Sequence, residues 1–168
     1  FLPLELGKIR NIYVAESGNV IYLSCQDGSI RKFDTENFNE LLNFKAHKDG
    51  CNAILLSQHQ GFDLMSAGKD GYIRLWKLDE SPTCVKEIPA HNYGIYGLKW
   101  LSRNEYFVSI SRDKSIKLWE TKTMTVIQKI ERKDGGHSHA VNSIAKVNEA
   151  NFVTVGDDKR VIYWGLKE

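Results

Sequence analysis

An aspartate and an aromatic residue recur together four times along this chain. Each Asp is followed six positions later by Phe or Trp, in the pairs Asp27 and Phe33, Asp70 and Trp76, Asp113 and Trp119, and Asp158 and Trp164. Successive Asp positions are 43, 43 and 45 residues apart. A period of this length indicates a repeat architecture in which each unit buries its apolar face against a neighbour. The sequence therefore predicts one region over 1–168, divided into units at approximately 1–44, 45–88, 89–134 and 135–168.

Each unit contains short apolar and β-branched runs separated by turn residues. In the third unit the runs cover 95–100, 105–110, 115–120 and 126–130, which is typical of four strands in an antiparallel meander. Phe107, Val108 and Ile110 are apolar at neighbouring positions, as expected for a strand covered on both faces. No stretch sustains a helical apolar period or approaches the ~20 apolar residues that span a membrane. The sequence predicts an all-β fold of four-stranded antiparallel sheets.

A histidine precedes three of the four Asp positions by 23, 22 and 21 residues, at His47, His91 and His137. With the segments SAGKDGYIRLWK and SISRDKSIKLWE around the second and third Asp, these residues make the chain resemble the WD-repeat (tryptophan-aspartate) β-propeller family. The resemblance covers nearly the whole chain. It implies that the fold is a β-propeller and that each four-stranded sheet is one blade.

The resemblance also implies a hydrogen-bonded chain inside each blade, from the His through a Ser or Thr to the Trp, with the Asp at its other end. The residues concerned are His47, Ser66, Asp70 and Trp76, then His91, Ser109, Asp113 and Trp119, then His137, Thr154, Asp158 and Trp164. A buried carboxylate is costly unless donors pair with it, and imidazole, hydroxyl and indole groups supply such pairing. Because three near-identical copies argue against one active site, we interpret these residues as architectural despite their likeness to a Ser-His-Asp triad. We expect no catalytic residue, no cofactor and no metal site.

The first unit departs from this pattern. Glu5, Leu23 and Phe33 stand where the His, Ser and Trp are expected, so this blade should lack the hydrogen-bonded chain. We expect it to depend on apolar packing and to be the least rigid of the four. The apolar residues expected to hold it are Ile9, Ile12, Val14, Ile21, Tyr22 and Ile30.

Four units leave the size of the closed ring open. Only residues 165–168 follow Trp164, so the fourth unit should have no outer strand of its own, whereas Phe1 to Glu5 align with Glu87 to His91 as the stub of an outer strand. The favoured interpretation is part of a larger ring, of seven blades as is usual in the family that the chain resembles. The second is half of an eight-bladed homodimer, in which Phe1 to Leu6 complete the partner's open blade. A closed ring of four blades ranks third.

Composition limits the classes of partner and the compartment. The net charge is +2 and the sequence pI is about 8.4, below the value of about 9 that is typical of nucleic-acid-binding domains, and no feature favours a membrane. Cys25, Cys51 and Cys84 are odd in number and widely spaced, which favours free thiols in a reducing compartment. We expect an intracellular, cytoplasmic protein, with the nucleus as the open alternative.

Function is expected on the surface, where the resemblance implies a rigid platform that binds peptides or proteins through its loop face. Two positions per unit are implied: the residue before the Asp, which gives Gln26, Lys69, Arg112 and Asp157, and the residue five after the His, which gives Arg10, Asn52, Tyr96 and Asn142. This mixture of cations, amides and one aromatic ring suits an acidic or carboxylate-bearing partner. The first hypothesis is a non-enzymatic interaction scaffold. The alternatives are a targeting domain of a larger enzyme or signalling protein, and, more weakly, a small-molecule or glycan site in the central channel.

Overall fold

The computed structural model describes residues 7–57 and 61–166, and these residues form two compact units that meet in sequence at Ile88 and Pro89. The first unit contains two four-stranded sheets, each with its strands in chain order. We call them blades 1 and 2. Blade 1 consists of β1 (Ile9–Val14), β2 (Val20–Cys25), β3 (Ser29–Asp34) and β4 (Glu40–Lys45), and blade 2 of β5 (Cys51–Leu56), β6 (Leu64–Gly68), β7 (Tyr72–Lys77) and β8 (Thr83–Pro89).

The second unit contains blades 3 and 4. Blade 3 consists of β9 (Ile95–Leu101), β10 (Tyr106–Ser111), β11 (Ile116–Glu120) and β12 (Thr125–Ile130), and blade 4 of β13 (Val141–Lys146), β14 (Asn151–Gly156) and β15 (Val161–Gly165). Within the described residues blade 4 therefore has three strands, as the few residues after Trp164 predicted. The segment Phe1 to Leu6, which includes Glu5, lies outside the described residues.

The all-β prediction is confirmed, and the four strands of blade 3 begin and end within one residue of the predicted runs. The only helical segments in the described ranges are two 3-10 turns, Ser102–Asn104 and Arg132–Asp134. The sheets are antiparallel meanders, as the strand pattern predicted, and they are of the β-propeller class that the family resemblance implied. The division of residues 1–168 into a single region with the four boundaries given above stays a prediction.

Each unit buries its core between its two blades. In the first unit Tyr22 and Ile30 of blade 1 pack in one cluster with Ile54, Leu64 and Trp76 of blade 2. The outer strand of blade 1 also takes part, since the Phe44 ring lies 4.9 Å from the Trp76 ring, centroid to centroid. A blade thus buries its apolar residues against its neighbour, as the repeat period predicted.

The second unit is built in the same way. Val108, Ile110 and Ile116 of blade 3 pack with Ile144 and Phe152 of blade 4. Gly97 on β9 permits this approach, because a Cβ at this position would lie 2.8 Å from Cγ2 of Ile144. Close packing of the two blades therefore depends on a residue without a side chain at this point.

One expectation for blade 1 needs correction. Tyr22 and Ile30 are buried as predicted, but the β1 residues Ile9, Ile12 and Val14 are 41%, 60% and 57% exposed. In the described residues β1 is an edge strand of blade 1, and its side chains lack the cover that those of β2 and β3 receive. The buried residues of blade 1 therefore lie mainly on β2 and β3.

Candidate functional site

Three of the four blades contain the same chain of hydrogen bonds. The His Nδ1 atom lies 3.0, 2.9 and 2.8 Å from an Asp oxygen in blades 2, 3 and 4. The His Nε2 atom lies 2.8, 2.7 and 2.9 Å from the Ser or Thr hydroxyl. The Trp indole nitrogen lies 2.9, 2.9 and 2.8 Å from the same hydroxyl. The structure thus brings together all twelve residues that the sequence assigned to this network.

The direction of each hydrogen bond follows from the chemistry of the groups. A carboxylate only accepts, so the His donates from Nδ1 and its Nε2 atom must accept. The hydroxyl then donates to Nε2 and accepts the indole N–H. Ser66, Ser109 and Thr154 are 0% exposed, so each hydroxyl is both occupied and out of reach of a substrate.

The carboxyl groups at the end of these chains are held as anions. Burial raises the pKa of Asp70 and Asp113, but hydrogen bonds from His47 and His91 outweigh it, so both values lie well below the usual range. The same balance with His137 lowers the pKa of Asp158 to about 2. Burial lowers the pKa of His91 despite the opposing effect of Asp113.

The Asp has a second role that all four blades share. Its carboxylate accepts the backbone N–H of the residue two positions later, at Ser29 (2.9 Å), Tyr72 (3.1 Å), Ser115 (2.9 Å) and Arg160 (3.2 Å). This is an Asx turn, which fixes the connection between the second and third strands of a blade. Blade 1 keeps this turn through Asp27, although Leu23 and Phe33, both buried, replace the hydroxyl and the indole.

Sequence reasoning did not anticipate the contacts of Arg74. Its guanidinium donates to Asp70 and to Glu87 at 2.6 Å each, and NH1 also lies 2.6 Å from Nδ1 of His47. Blade 3 has Lys117 at the equivalent position, where the ammonium donates to the Ala90 carbonyl at 2.5 Å. The signal available in the sequence was the spacing of four residues between Asp70 and Arg74, because residues an even number apart along a strand lie on the same face.

The residues predicted to bind a partner occupy one equivalent place in every blade. In the innermost strand the pairing register shifts between Ile9 and Asn11, Cys51 and Ala53, Ile95 and Gly97, and Val141 and Ser143. The extra residue of each β-bulge is therefore Arg10, Asn52, Tyr96 or Asn142. A bulge bends a strand and redirects a side chain, and bulges are frequent next to functional sites.

The second predicted position is equally regular. The backbone N–H groups of Gln26, Lys69, Arg112 and Asp157 donate to the carbonyls of Lys8, Gly50, Gly94 and Ala140, respectively, at 2.8 to 3.0 Å. All four side chains are exposed. The two positions meet in blade 1, where Arg10 donates to Gln26 at 2.8 Å, and in blade 4, where Asn142 donates to Asp157. Each blade therefore displays a pair of polar or aromatic side chains on a rigid backbone.

Other chemical features of the described residues are few. No group of three or more His, Cys, Asp and Glu side chains there could hold a metal ion. All three cysteines are free thiols, with Cys25 and Cys51 buried and Cys84 exposed. Over the same residues, no helix is long and apolar enough to cross a membrane.

Comparison with known proteins identifies WD repeats in the chain. The model of the WD domain, G-beta repeat, matches residues 38–77 and 82–120. Each match begins before the outer strand of one blade and runs through the first three strands of the next. The chain therefore contains WD repeats, as the resemblance implied.

Several curated proteins are similar to parts of the chain. Pre-mRNA-processing factor 17 of Saccharomyces cerevisiae is 30% identical over 48% of this chain and 18% of its own length. A ribosome biogenesis protein WDR12 homolog of Trichoplax adhaerens is 22% identical over 90% of this chain and 41% of its own. Serine-threonine kinase receptor-associated protein of Bos taurus is 28% identical over 79% of this chain and 35% of its own. The chain thus spans less than half of each of these relatives.

Proposed function

We propose that this chain is a non-enzymatic scaffold that binds peptides or protein partners through the loop faces of its blades, each of which carries a β-bulge. The observation that supports this most directly is that four of the eight residues implied by the resemblance lie on equivalent bulges, and the other four lie at equivalent exposed positions. A side chain on a bulge is held by the sheet while it takes no part in the ladder. Rigid elements position a binding residue better than loops do.

The chemistry of the Ser, His and Asp residues supports a scaffold rather than an enzyme. In a catalytic triad the hydroxyl oxygen must reach a substrate carbonyl. In blades 2 to 4 that oxygen is buried and accepts an indole N–H instead. We assign these chains to the internal bracing of each blade. A targeting role beside a catalytic domain elsewhere in a longer protein remains the alternative hypothesis.

The relatives suggest a setting for such a scaffold. Their names refer to pre-mRNA processing, ribosome biogenesis and a kinase receptor. The first two are processes carried out by large assemblies inside cells. We infer that this protein works in an intracellular assembly, and the first two names favour the nucleus over the cytoplasm. Because Lys69 and Arg112 are cations, we propose that the partner presents an acidic surface.

Substitution of Lys69 and Arg112 by Ala tests the proposed face. Both side chains are exposed, so the double variant should keep the melting temperature of the parent. We expect capture of the partner proteins from a cell extract, quantified by mass spectrometry, to fall at least about fivefold, as for residues that contribute more than 1 kcal/mol.

The matched control is the double variant Lys86→Ala and Lys122→Ala, which removes two exposed cations from positions outside the eight predicted partner-binding residues. Its capture of the same proteins should equal that of the parent. Equal capture by the parent and the Lys69→Ala, Arg112→Ala variant would exclude this face as the binding surface.

A further inference from the structure

The connection between blades 3 and 4 is longer than the two earlier connections. Ile130 precedes His137 by seven positions, whereas Phe44 precedes His47 and Ile88 precedes His91 by three. The additional residues form the 3-10 turn Arg132–Asp134 and the left-handed Gly135 that follows it. This insertion changes the loop face within the second unit.

The insertion leaves a cavity of about 270 Å³ between the loops. It is lined by Asp113, Lys114, Glu131, Arg132, His137 and Ser138. In the first unit the corresponding turn closes directly on the connection: the Gly28 carbonyl accepts the N–H groups of Ala46 and His47 at 3.0 Å each. A Cβ at Gly28 would lie 1.9 Å from the His47 oxygen, so the tighter connection leaves no room for a side chain there.

The cavity is lined by two unpaired cations and two carboxylates. The carboxylates are engaged, since Asp113 accepts from His91 and Ser115 at 2.9 Å or less and Glu131 pairs with Lys129 at 2.6 Å. Lys114 and Arg132 are exposed, and neither cation has an ion-pair partner among the described residues. The two cations are therefore available to an incoming ligand, while the formal charges of the four side chains sum to zero.

Ser138 adds a hydroxyl group to this lining. Its Oγ atom lies 3.0 Å from Nδ1 of His139. When the imidazole donates from Nδ1, the hydroxyl keeps its own proton for a ligand. The cavity then offers three donor groups of different geometry: an ammonium, a planar guanidinium and a hydroxyl.

The backbone of Lys114 gives an independent indication. This residue has φ of 74°, a left-handed conformation, whereas blades 1 and 2 have Gly28 and Gly71 at the same position, with φ of 92° and 81°. Glycine adopts this conformation without strain and lysine does not. Strained residues of this kind concentrate at functional sites. Blade 4 has Lys159 at the same position with φ of 62°, and of these two lysines only Lys114 lines the cavity.

We propose that the cavity lined by Lys114, Arg132 and Ser138 binds the phosphoryl group of a phosphorylated side chain on a peptide partner. The inference rests on the proposed function, because it requires the loop face to bind proteins. A phosphoryl group carries close to two negative charges and three acceptor oxygens, which matches two cations and three donors. A guanidinium pairs with it bidentately, and an ammonium pairs with it as a point charge.

The size of the cavity also favours a single side-chain group. Sites for whole small molecules usually enclose about 300 to 1,000 Å³, whereas this cavity encloses about 270 Å³. A nucleic-acid backbone would instead need an extended track of cations. The lining of this cavity supplies two such cations, Lys114 and Arg132.

The test uses the 168-residue chain, labelled with ¹⁵N, and three matched peptides: acetyl-Gly-Gly-Thr-Gly-Gly-amide, its phosphothreonine form and its glutamate form. A dithymidine monophosphate serves as the phosphodiester probe. We expect the phosphothreonine peptide to shift the amide signals of Lys114, Arg132 and Ser138 saturably. The other probes should bind at least about tenfold more weakly, as expected for loss of charge-assisted hydrogen bonds.

Two lysines provide a matched pair of variants. Lys114→Gly removes the ammonium and relieves the left-handed strain, so the variant should be at least as stable as the parent while its affinity for the phosphopeptide falls at least about tenfold. Lys159→Gly makes the same change in the equivalent turn of blade 4, where φ is 62°, outside the cavity lining. Its affinity should equal that of the parent.

Several results would overturn the proposal. They are the absence of saturable shifts at the three amides, equal binding of the glutamate or phosphodiester probe, and equal loss of affinity in both lysine variants. If the phosphopeptide fails while partner capture still depends on Lys69 and Arg112, the cavity proposal is wrong and the proposed function stands. If capture also fails to depend on those residues, the loop-face function itself is wrong.

Discussion

At the scale of single residues, the Asp of each repeat has two separable roles. It closes an Asx turn in all four blades, and it orients a His only in blades 2, 3 and 4. The partners in the second role could be predicted because their spacing repeats in the pattern of the family that the chain resembles. The contacts of Arg74 were not predicted, because the residue at this position has different partners in blades 2 and 3. The left-handed backbone at Lys114 was not predicted, because the residue type does not indicate it.

The depressed pKa values predict how acid destabilises the protein. Because the folded-state pKa of His91 is lowered, the unfolded chain takes up a proton first as the pH falls below about 6.5, and stability declines. Because the folded-state pKa of Asp113 is also lowered, its contribution is present above about pH 4 and is lost as the pH falls through that value towards the folded-state pKa. Stability should therefore fall in two steps.

Asp113→Asn should change both steps in opposite directions. Loss of the carboxylate removes a group that raises the pKa of His91, so the decline between pH 6.5 and 5 should steepen, while the decline below pH 4 should diminish. At pH 7 the variant should lose about 2 kcal/mol of unfolding free energy, the range for hydrogen bonds to a charged group. Urea unfolding followed by Trp fluorescence at four pH values measures the free energy of unfolding of the variant and the parent. Asp49→Asn, at an exposed carboxylate, is the control, and parallel profiles for the two variants would refute the assignment.

At the scale of strands and blades, the sequence was most informative where a feature repeats. The strand runs of blade 3 were predicted to within one residue, because alternation and turn residues are local properties. The β-bulges were not predicted, since a register shift depends on the partner strand as well as on the bulged strand. The cavity beside Arg132 was not predicted either, because an insertion in the sequence does not reveal whether its turn closes or opens a gap.

Blade 1 should open more readily than blade 3. It lacks the His, Ser and Trp chain, and its β1 side chains are in solvent, whereas Phe107 and Trp119 in blade 3 stack at 5.5 Å between ring centroids. We expect amides of β2 and β3 to exchange with solvent deuterium faster than those of β10 and β11, as measured by mass spectrometry of peptic fragments.

A variant of blade 3 tests whether the hydrogen-bonded chain causes the difference. Trp119→Phe removes the indole donor, as in the natural Phe33 of blade 1, and should lower the local opening free energy of blade 3 by about 1 to 2 kcal/mol. Tyr163→Phe, at a ring that is 61% exposed, should leave exchange unchanged. Equal exchange in the two blades of the parent would show that apolar packing alone protects blade 1.

At the scale of the whole molecule, the repeat explains why each unit has an apolar core. It does not explain what covers the blades at the two ends of the array. Two described clusters lie between two blades, and a smaller one of Leu23, Cys25 and Phe33 lies in blade 1. Each unit has two blades, so the second face of a blade has no neighbouring blade within its own unit. Blade 4 shows the consequence: Val161 and Tyr163 lie on one face of β15 and are 73% and 61% exposed. The described residues also place no fourth strand beside β15.

Such an edge should drive association, because an unpaired strand with an apolar face is a template for another chain. We expect light scattering coupled to size-exclusion chromatography to give a mass above the 19.2 kDa of one chain, increasing with concentration. Val161→Lys with Tyr163→Lys should restore 19.2 kDa, whereas Val85→Lys, at a 48% exposed position of β8 in a complete four-stranded blade, should not.

A discrete mass of two chains would favour the eight-bladed homodimer, and a continuous range of masses would favour a part of a larger ring. A parent that stays at 19.2 kDa at every concentration would contradict the expected association and the eight-bladed homodimer.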